Sequence, residues 1–156
     1  MPILYTVLLA AAAVIDGLLA GASLDQSIKQ LPARHRIGVR AFSAYSQAAD
    51  LGNGIAWYAT LGLGGALLTI AAAGATLALD RPAAERVPLS IAALLAIAHS
   101  LTTARAAPLN FRQRTASDDA TLEQIFARFE RWQTARAILQ VATFVAVLWA
   151  LAAVAE

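Results

Sequence analysis

The chain has 156 residues, of which 59% are hydrophobic and only 14% are charged, and its mean hydropathy is +0.61. This apolar share exceeds the roughly one half of ordinary soluble domains, so the composition is typical of a membrane protein and excludes an intrinsically disordered chain. The sequence contains no cysteine, which excludes a disulfide scaffold, an iron–sulfur cluster and thiol catalysis.

Four hydrophobic stretches are near or above the roughly 20 residues that a membrane-spanning helix needs. They cover residues 3–24, 51–79, 87–107 and 137–155. The sequence therefore predicts an all-α, integral membrane four-helix bundle that forms one domain. The second stretch is the longest, so we expect it to tilt, to extend beyond the hydrocarbon or to bend. The glycines at its centre are the predicted bends: Gly62, Gly64 and Gly65.

Two of the connections are long, and both are predicted to be partly helical. In the later one, apolar residues recur every three or four positions between Leu122 and Trp132, which predicts an interfacial helix over residues 119–135 that continues into the fourth span. The earlier connection is predicted to break at Pro32 and then to join the second span as one long helix. Residues 80–86 form a short turn.

The two long connections are predicted to lie on one side of the membrane, and that side carries most of the basic residues. Arg81 and Arg86 are the two exceptions among the twelve Lys and Arg residues. The positive-inside rule then places the long loops in the cytoplasm and both termini outside, most simply in the cytoplasmic membrane. These arginines fit topology signals and contacts with anionic lipids better than nucleic-acid binding.

Small residues recur every four positions along the first span, at Ala13, Gly17 and Gly21. Such a stripe permits close approach of another helix. The partner is either a helix of the same bundle or another subunit of a homo-oligomer or membrane complex.

Polar side chains inside the spans are the first candidates for function, because they are costly in hydrocarbon. Asp16 lies nine residues before Asp25 and His99 lies nine before Pro108. At a helical rise of 1.5 Å per residue both lie about 13 Å inside the long-loop surface. They are therefore predicted to be neighbours, with His99 either in a proton-handling role or as a hydrogen-bonded core residue. Thr102 and Thr103 are expected to bond to carbonyls of their own helix.

The spans and their flanking segments also carry polar and aromatic residues near the long-loop surface, and together these residues predict a small cavity. The candidates for lining it are Asn53, Trp57, Asn110, Trp132, Arg136 and Gln140. Metal and haem sites are disfavoured because the second histidine, His35, lies in a loop. No phosphate-binding loop or serine-hydrolase motif is present. We therefore expect no metal and no bound cofactor.

The later long connection and the start of the fourth span resemble a known sequence pattern. Residues 107–110 read Ala-Pro-Leu-Asn, and after about twenty mostly polar residues 131–136 read Arg-Trp-Gln-Thr-Ala-Arg. This arrangement resembles small four-helix membrane proteins of the anthrone-oxygenase-like family, mainly over residues 95–150. Gln133 stands where that family commonly has Asn.

The resemblance implies oxygenation of an anthrone-like polycyclic phenol to a quinone without metal or flavin. On this hypothesis His99, oriented by Asp16, is the base, since imidazole titrates near neutrality. Arg105 or Arg136 stabilises the oxyanion, with Asn110 orienting the substrate. For Arg105 the alternative is a side chain that extends to the interface. Trp57 and Trp132 are candidates for stacking on the ring, and Trp132 is equally suited to interfacial anchoring.

Two other interpretations remain open at this stage. The first is a non-catalytic accessory subunit of a larger membrane complex. The second is a transporter or proton path, which has weaker support because no inverted repeat is visible.

Overall fold

The computed structural model describes residues 2–155, and this part of the chain is helical apart from short turns. Four helical rods are long and apolar enough to cross a membrane, and they form a four-helix bundle, as the composition predicts. The helices are α1 (Pro2–Asp25), α2 (Leu31–Ile37), α3 (Val39–Ala48), α4 (Gly54–Ala78), α5 (Ala83–Arg112) and α6 (Asp119–Ala155).

The outer surface of the bundle is apolar, as a bilayer environment requires. Leu63, Leu94 and Ile138 are each about two-thirds exposed. The interior contains many small side chains, with a core cluster that includes Tyr5, Leu9 and many alanines from all four rods. Because alanine and leucine are strong helix formers, this sequence favours long uninterrupted helices.

The predicted break at Pro32 is wrong. The first rod continues past α1 through a π-helical segment, Gln26–Gln30, into α2. Pro32 lies in the first turn of α2, where a missing N–H is tolerated. The rod ends instead at Gly38, whose φ of 86° favours glycine.

The second rod bends, but at a different glycine from those predicted. It consists of α3, a second π-helical segment (Ala49–Asn53) and α4, and Gly52 has a non-helical φ of −96° and ψ of −117°. Gly62, Gly64 and Gly65 lie within the continuous helix α4. The bend therefore lies at the start of the apolar stretch and not at its centre.

The long connections pack against each other at one end of the bundle. α6 is one continuous helix, so the interfacial segment and the fourth span are not separate elements. Its first half packs on α2 and α3 through a second apolar cluster that includes Leu31, Phe42 and Phe126. The buried Arg34 side chain donates to Glu130 at 2.7 Å across this contact. The short turn at the opposite end is confirmed, since α4 ends at Ala78 and α5 begins at Ala83.

The small-residue stripe of α1 faces partly into the bundle. A Cβ added at Gly17 would lie 3.0 Å from the ring of Phe144, so α1 and α6 are in close contact there. Gly21 is exposed, and a Cβ there would meet no described atom within 4 Å. A contact between subunits through this stripe stays a prediction.

Candidate functional site

A cavity lies between the rods at the loop end of the bundle. Its volume is about 200 Å³, and all four rods contribute to its walls. Most of the lining residues are apolar, including Leu19, Ile55, Ala59, Phe111 and Phe129. The polar lining residues are Gln26, Asp50, Tyr58, Thr103, Asn110, Arg136 and Gln140.

Arg136 is the only basic residue among those that line this cavity. The residue is 9% exposed and lies on α6 just before the predicted fourth span. One guanidinium nitrogen donates to Gln26 Oε1 at 3.4 Å, and Nε has no hydrogen-bond partner. Among residues 2–155, Arg136 forms no ion pair with a carboxylate. Asp50 of the same cavity attracts Arg136 electrostatically but lies beyond ion-pair distance. A buried guanidinium without a direct carboxylate contact is unfavourable, so this group is well suited to bind an anionic oxygen.

Asp50 provides the carboxylate of the cavity. It lies in the second π-helical segment, directly before the bend at Gly52. The hydroxyl of Ser46, one turn earlier, donates to Asp50 Oδ2 at 2.8 Å. A carboxylate therefore lines the cavity at the junction between α3 and the apolar α4.

A buried hydrogen-bond network holds α3 against α5 beside the cavity. Gln113 Nε2 donates to Asn110 Oδ1 at 2.6 Å and to Ser46 Oγ at 3.1 Å. Ser43 Oγ in turn donates to Gln113 Oε1 at 3.0 Å. Since Ser46 also holds Asp50, one network positions both Asn110 and Asp50.

The structure brings three of the predicted binding residues to this cavity: Asn110, Arg136 and Gln140. Gln140 Oε1 is buried and has no described hydrogen-bond partner, which leaves an acceptor free within the site. Asn53 and Trp57 do not line the cavity and are exposed, with Trp57 51% accessible.

Asp16 and His99 are both buried, but they do not form the predicted pair. Asp16 Oδ2 accepts a hydrogen bond from Thr69 at 2.7 Å, while Asp16 Oδ1 and His99 Nε2 have no partner among the described residues. Equal depth on two helices did not bring the two side chains into a hydrogen bond. Thr102 and Thr103 both donate to the carbonyl of His99, as expected.

Arg105 and Trp132 lie elsewhere, in a surface groove between α5 and α6. Both are exposed and absent from the cavity lining. The structure therefore does not place Arg105 beside Asp16 or His99 as a member of one interior site.

Two polar lining residues were missed by the sequence analysis: Gln26 and Asp50. Gln26 and Asp50 lie in the two π-helical segments, which shift the helical register by one residue and redirect side chains. A usable signal was present, because Asp50 lies two residues before the first of the closely spaced glycines Gly52 and Gly54 at the start of an apolar span.

Within residues 2–155 no cluster of three His, Cys, Asp or Glu side chains is arranged to hold a metal ion. Comparison with protein-family models, with curated proteins and with solved structures finds no significant match. The function must therefore be argued from the geometry of the cavity.

Proposed function

We propose that this membrane protein binds a flat, hydrophobic phenol or quinone-like molecule in the cavity, with an oxygen of the ligand on Arg136. The observation that carries the proposal is the buried guanidinium of Arg136, which has no direct ion pair inside a mostly apolar cavity. A phenolate or enolate oxygen would give Arg136 a direct anionic contact that the more distant Asp50 does not provide. Charge-assisted hydrogen bonds of this kind are stronger than hydrogen bonds between neutral groups. Gln140 and Asn110 are placed to hydrogen-bond further oxygens of the ligand.

The size and walls of the cavity favour an aromatic ring that enters from the bilayer. A dry cavity of about 150 Å³ holds one benzene ring, so the cavity of about 200 Å³ accommodates a ring with its oxygen. Ile55 on α4 and Phe111 on α5 line the cavity and are each about two-fifths exposed. Further fused rings of the ligand would extend between these two helices toward lipid.

The reaction that fits this site is the cofactor-free oxygenation implied by the resemblance. A base removes a proton from the ring CH₂ group, and the resulting anion is delocalised onto the oxygen held by Arg136. The anion then transfers an electron to O₂, and recombination gives a hydroperoxide. Loss of water leaves a carbonyl, so one oxygen atom enters the product and the other leaves as water.

Two groups are candidates for the base. Asp50 lines the cavity, whereas His99 lies one helical turn from the lining residue Thr103 and does not itself line the cavity. A base must reach the proton that it removes, directly or through one water molecule. Geometry therefore favours Asp50, with His99 retained as the second candidate.

The test uses purified protein in detergent with anthrone under air, measuring anthraquinone formation and O₂ consumption. The wild type is expected to exceed the rate in protein-free micelles. Asp50→Asn is expected to lower the enzymatic rate by about 100-fold or more, which is typical for loss of a general base. The exposed Arg36 at the same end of the bundle provides the matched control, and Arg36→Gln should retain full activity.

The variant His99→Ala separates the two candidate bases. Full activity in this variant and loss in Asp50→Asn would assign the base to Asp50, and the reverse result would assign it to His99. A wild-type protein that neither binds a hydroxyanthraquinone nor oxidises anthrone would refute the proposal. Purification in fixed stoichiometry with another chain and without ligand would instead favour the accessory-subunit role.

A further inference from the structure

A second site lies on the outside of the bundle, in the surface groove between α5 and α6. The groove has a volume of about 550 Å³. Its lining residues are Arg105, Leu109, Arg128, Arg131, Trp132 and Ala135. None of these residues lines the interior cavity.

The groove carries positive charge that the protein itself does not neutralise. Arg105, Arg128 and Arg131 are all exposed, and no carboxylate lines the groove. Among residues 2–155, the described ion pairs use other basic residues: Lys29, Arg34, Arg40, Arg81 and Arg86. An adjoining depression of about 380 Å³ shares Arg128 with the groove and adds Arg112, which also has no described ion pair.

The groove lies at the depth where helices leave the hydrocarbon. The apolar stretch of α5 ends at residue 107, and that of α6 begins at residue 137. Trp132 is 40% exposed in the groove wall, and tryptophan is enriched at the level of lipid headgroups. A phosphate of the surrounding leaflet is therefore at the same depth as the three arginines.

Apolar side chains extend from the groove into the membrane along both helices. On α5, Leu101 lies one turn from Arg105 and is 65% exposed. On α6, Ile138 lies about one turn beyond Ala135 and is 63% exposed, and Val145 continues the same line. The surface thus offers arginines to a headgroup and an apolar stripe to acyl chains.

We propose that this groove binds the phosphate headgroup of an anionic phospholipid of the surrounding bilayer, with the acyl chains lying along α5 and α6. Arginine is suited to this role because its planar fork contacts two phosphate oxygens at once. The bilayer supplies the ligand, since exposed apolar side chains lie about one turn from the groove residues on both helices.

The test is native mass spectrometry of the full chain with an anionic and a zwitterionic lipid, phosphatidylglycerol and phosphatidylcholine, of identical acyl chains. The wild type is expected to bind phosphatidylglycerol preferentially. Removing all three groove charges by Arg105→Gln, Arg128→Gln and Arg131→Gln should weaken that binding on the order of 100-fold, because each arginine is expected to contribute about five-fold and the three factors multiply. Binding of phosphatidylcholine, whose choline cation offsets the charge of its phosphate, should weaken much less.

A matched variant removes three exposed basic residues outside the groove at the same end of the bundle, by Lys29→Gln, Arg36→Gln and Arg40→Gln, and should retain the preference within two-fold. Equal losses in the two variants would show a non-specific effect of net charge and overturn the proposal. Binding of glycerol phosphate with the affinity of the whole lipid would also overturn it, because the acyl stripe would then contribute nothing. Circular dichroism checks folding, and if the triple variant unfolds, Arg131→Gln alone should show the loss of about five-fold.

Discussion

Replacing Arg136 by glutamine separates a ligand-binding role from a structural one, because the two roles predict opposite changes in stability. The wild-type side chain makes one long hydrogen bond, 3.4 Å to Gln26, and its Nε has no partner. Losing that bond costs about 1 kcal/mol or less. Removing this buried charge relieves a desolvation penalty of several kcal/mol, and the lost attraction to Asp50, which lies beyond ion-pair distance, offsets only part of that gain. The unliganded Arg136→Gln protein should therefore melt at the same temperature as the wild type or higher.

Ligand binding should change in the other direction. A hydrogen bond to a charged group contributes about 2 kcal/mol, so the variant should bind a hydroxyanthraquinone about 30-fold more weakly. At a ligand concentration of 100 times the wild-type Kd, binding stabilises the wild type by about 2.7 kcal/mol and the variant by about 0.9 kcal/mol. At roughly 2–4 °C per kcal/mol, the ligand-induced rise in Tm should fall from about 5–10 °C to about 2–4 °C.

The assay is thermal unfolding in detergent followed by circular dichroism, with and without ligand. Anthracene, which has the ring system but no oxygen, should give the same small shift in both proteins. Arg34 is the matched buried control, because it pairs with Glu130 at 2.7 Å and Arg34→Gln should destabilise the unliganded protein. An Arg136→Gln protein with a lowered unliganded Tm and an undiminished ligand shift would refute the reasoning.

Three further predictions concern stability. Gly65→Ala should lower the Tm, because the added Cβ would collide with Asp16 Oδ1 and disturb the hydrogen bond between Asp16 and Thr69. The control Gly74→Ala should leave the Tm unchanged, because no described atom lies within 4 Å of its added Cβ. Glu130→Gln should destabilise the protein by about 3 kcal/mol in denaturant titrations by leaving the buried Arg34 without its short ion pair, and an effect below about 0.5 kcal/mol would contradict this. At the start of α6, hydrogen bonds from Thr121 lower the pKa of Asp118. The stabilisation that the ionised carboxylate gives to the folded protein is therefore fully present above the ordinary pKa of about 3.9, and it is lost as the pH falls through the lowered pKa. Asp118→Ala should flatten the dependence of Tm on pH below about pH 4, and unchanged pH dependence would argue against this cap.

The sequence by itself determined the class of the protein. Four apolar stretches near the length of a bilayer span allow only a helical bundle, because every backbone polar group in hydrocarbon must be bonded within its own helix. The short turn between α4 and α5, and the helical character of both long connections, were likewise readable from local periodicity. Hydrophobic length and period are properties of contiguous residues, so no tertiary information was needed.

The tertiary structure alone decided which polar residues meet. Equal depth along the helices made Asp16 and His99 candidate neighbours, but a hydrogen bond between them also depends on helix rotation, and Asp16 instead bonds Thr69. Rotation is set by packing details, such as the space that Gly65 leaves for the Asp16 carboxylate. The π-helical segments had a similar effect at the loop end, because one extra residue per turn directed Asp50 into the cavity of Arg136. The candidate site depends on these rotations and register shifts, which arise only when all four rods pack together.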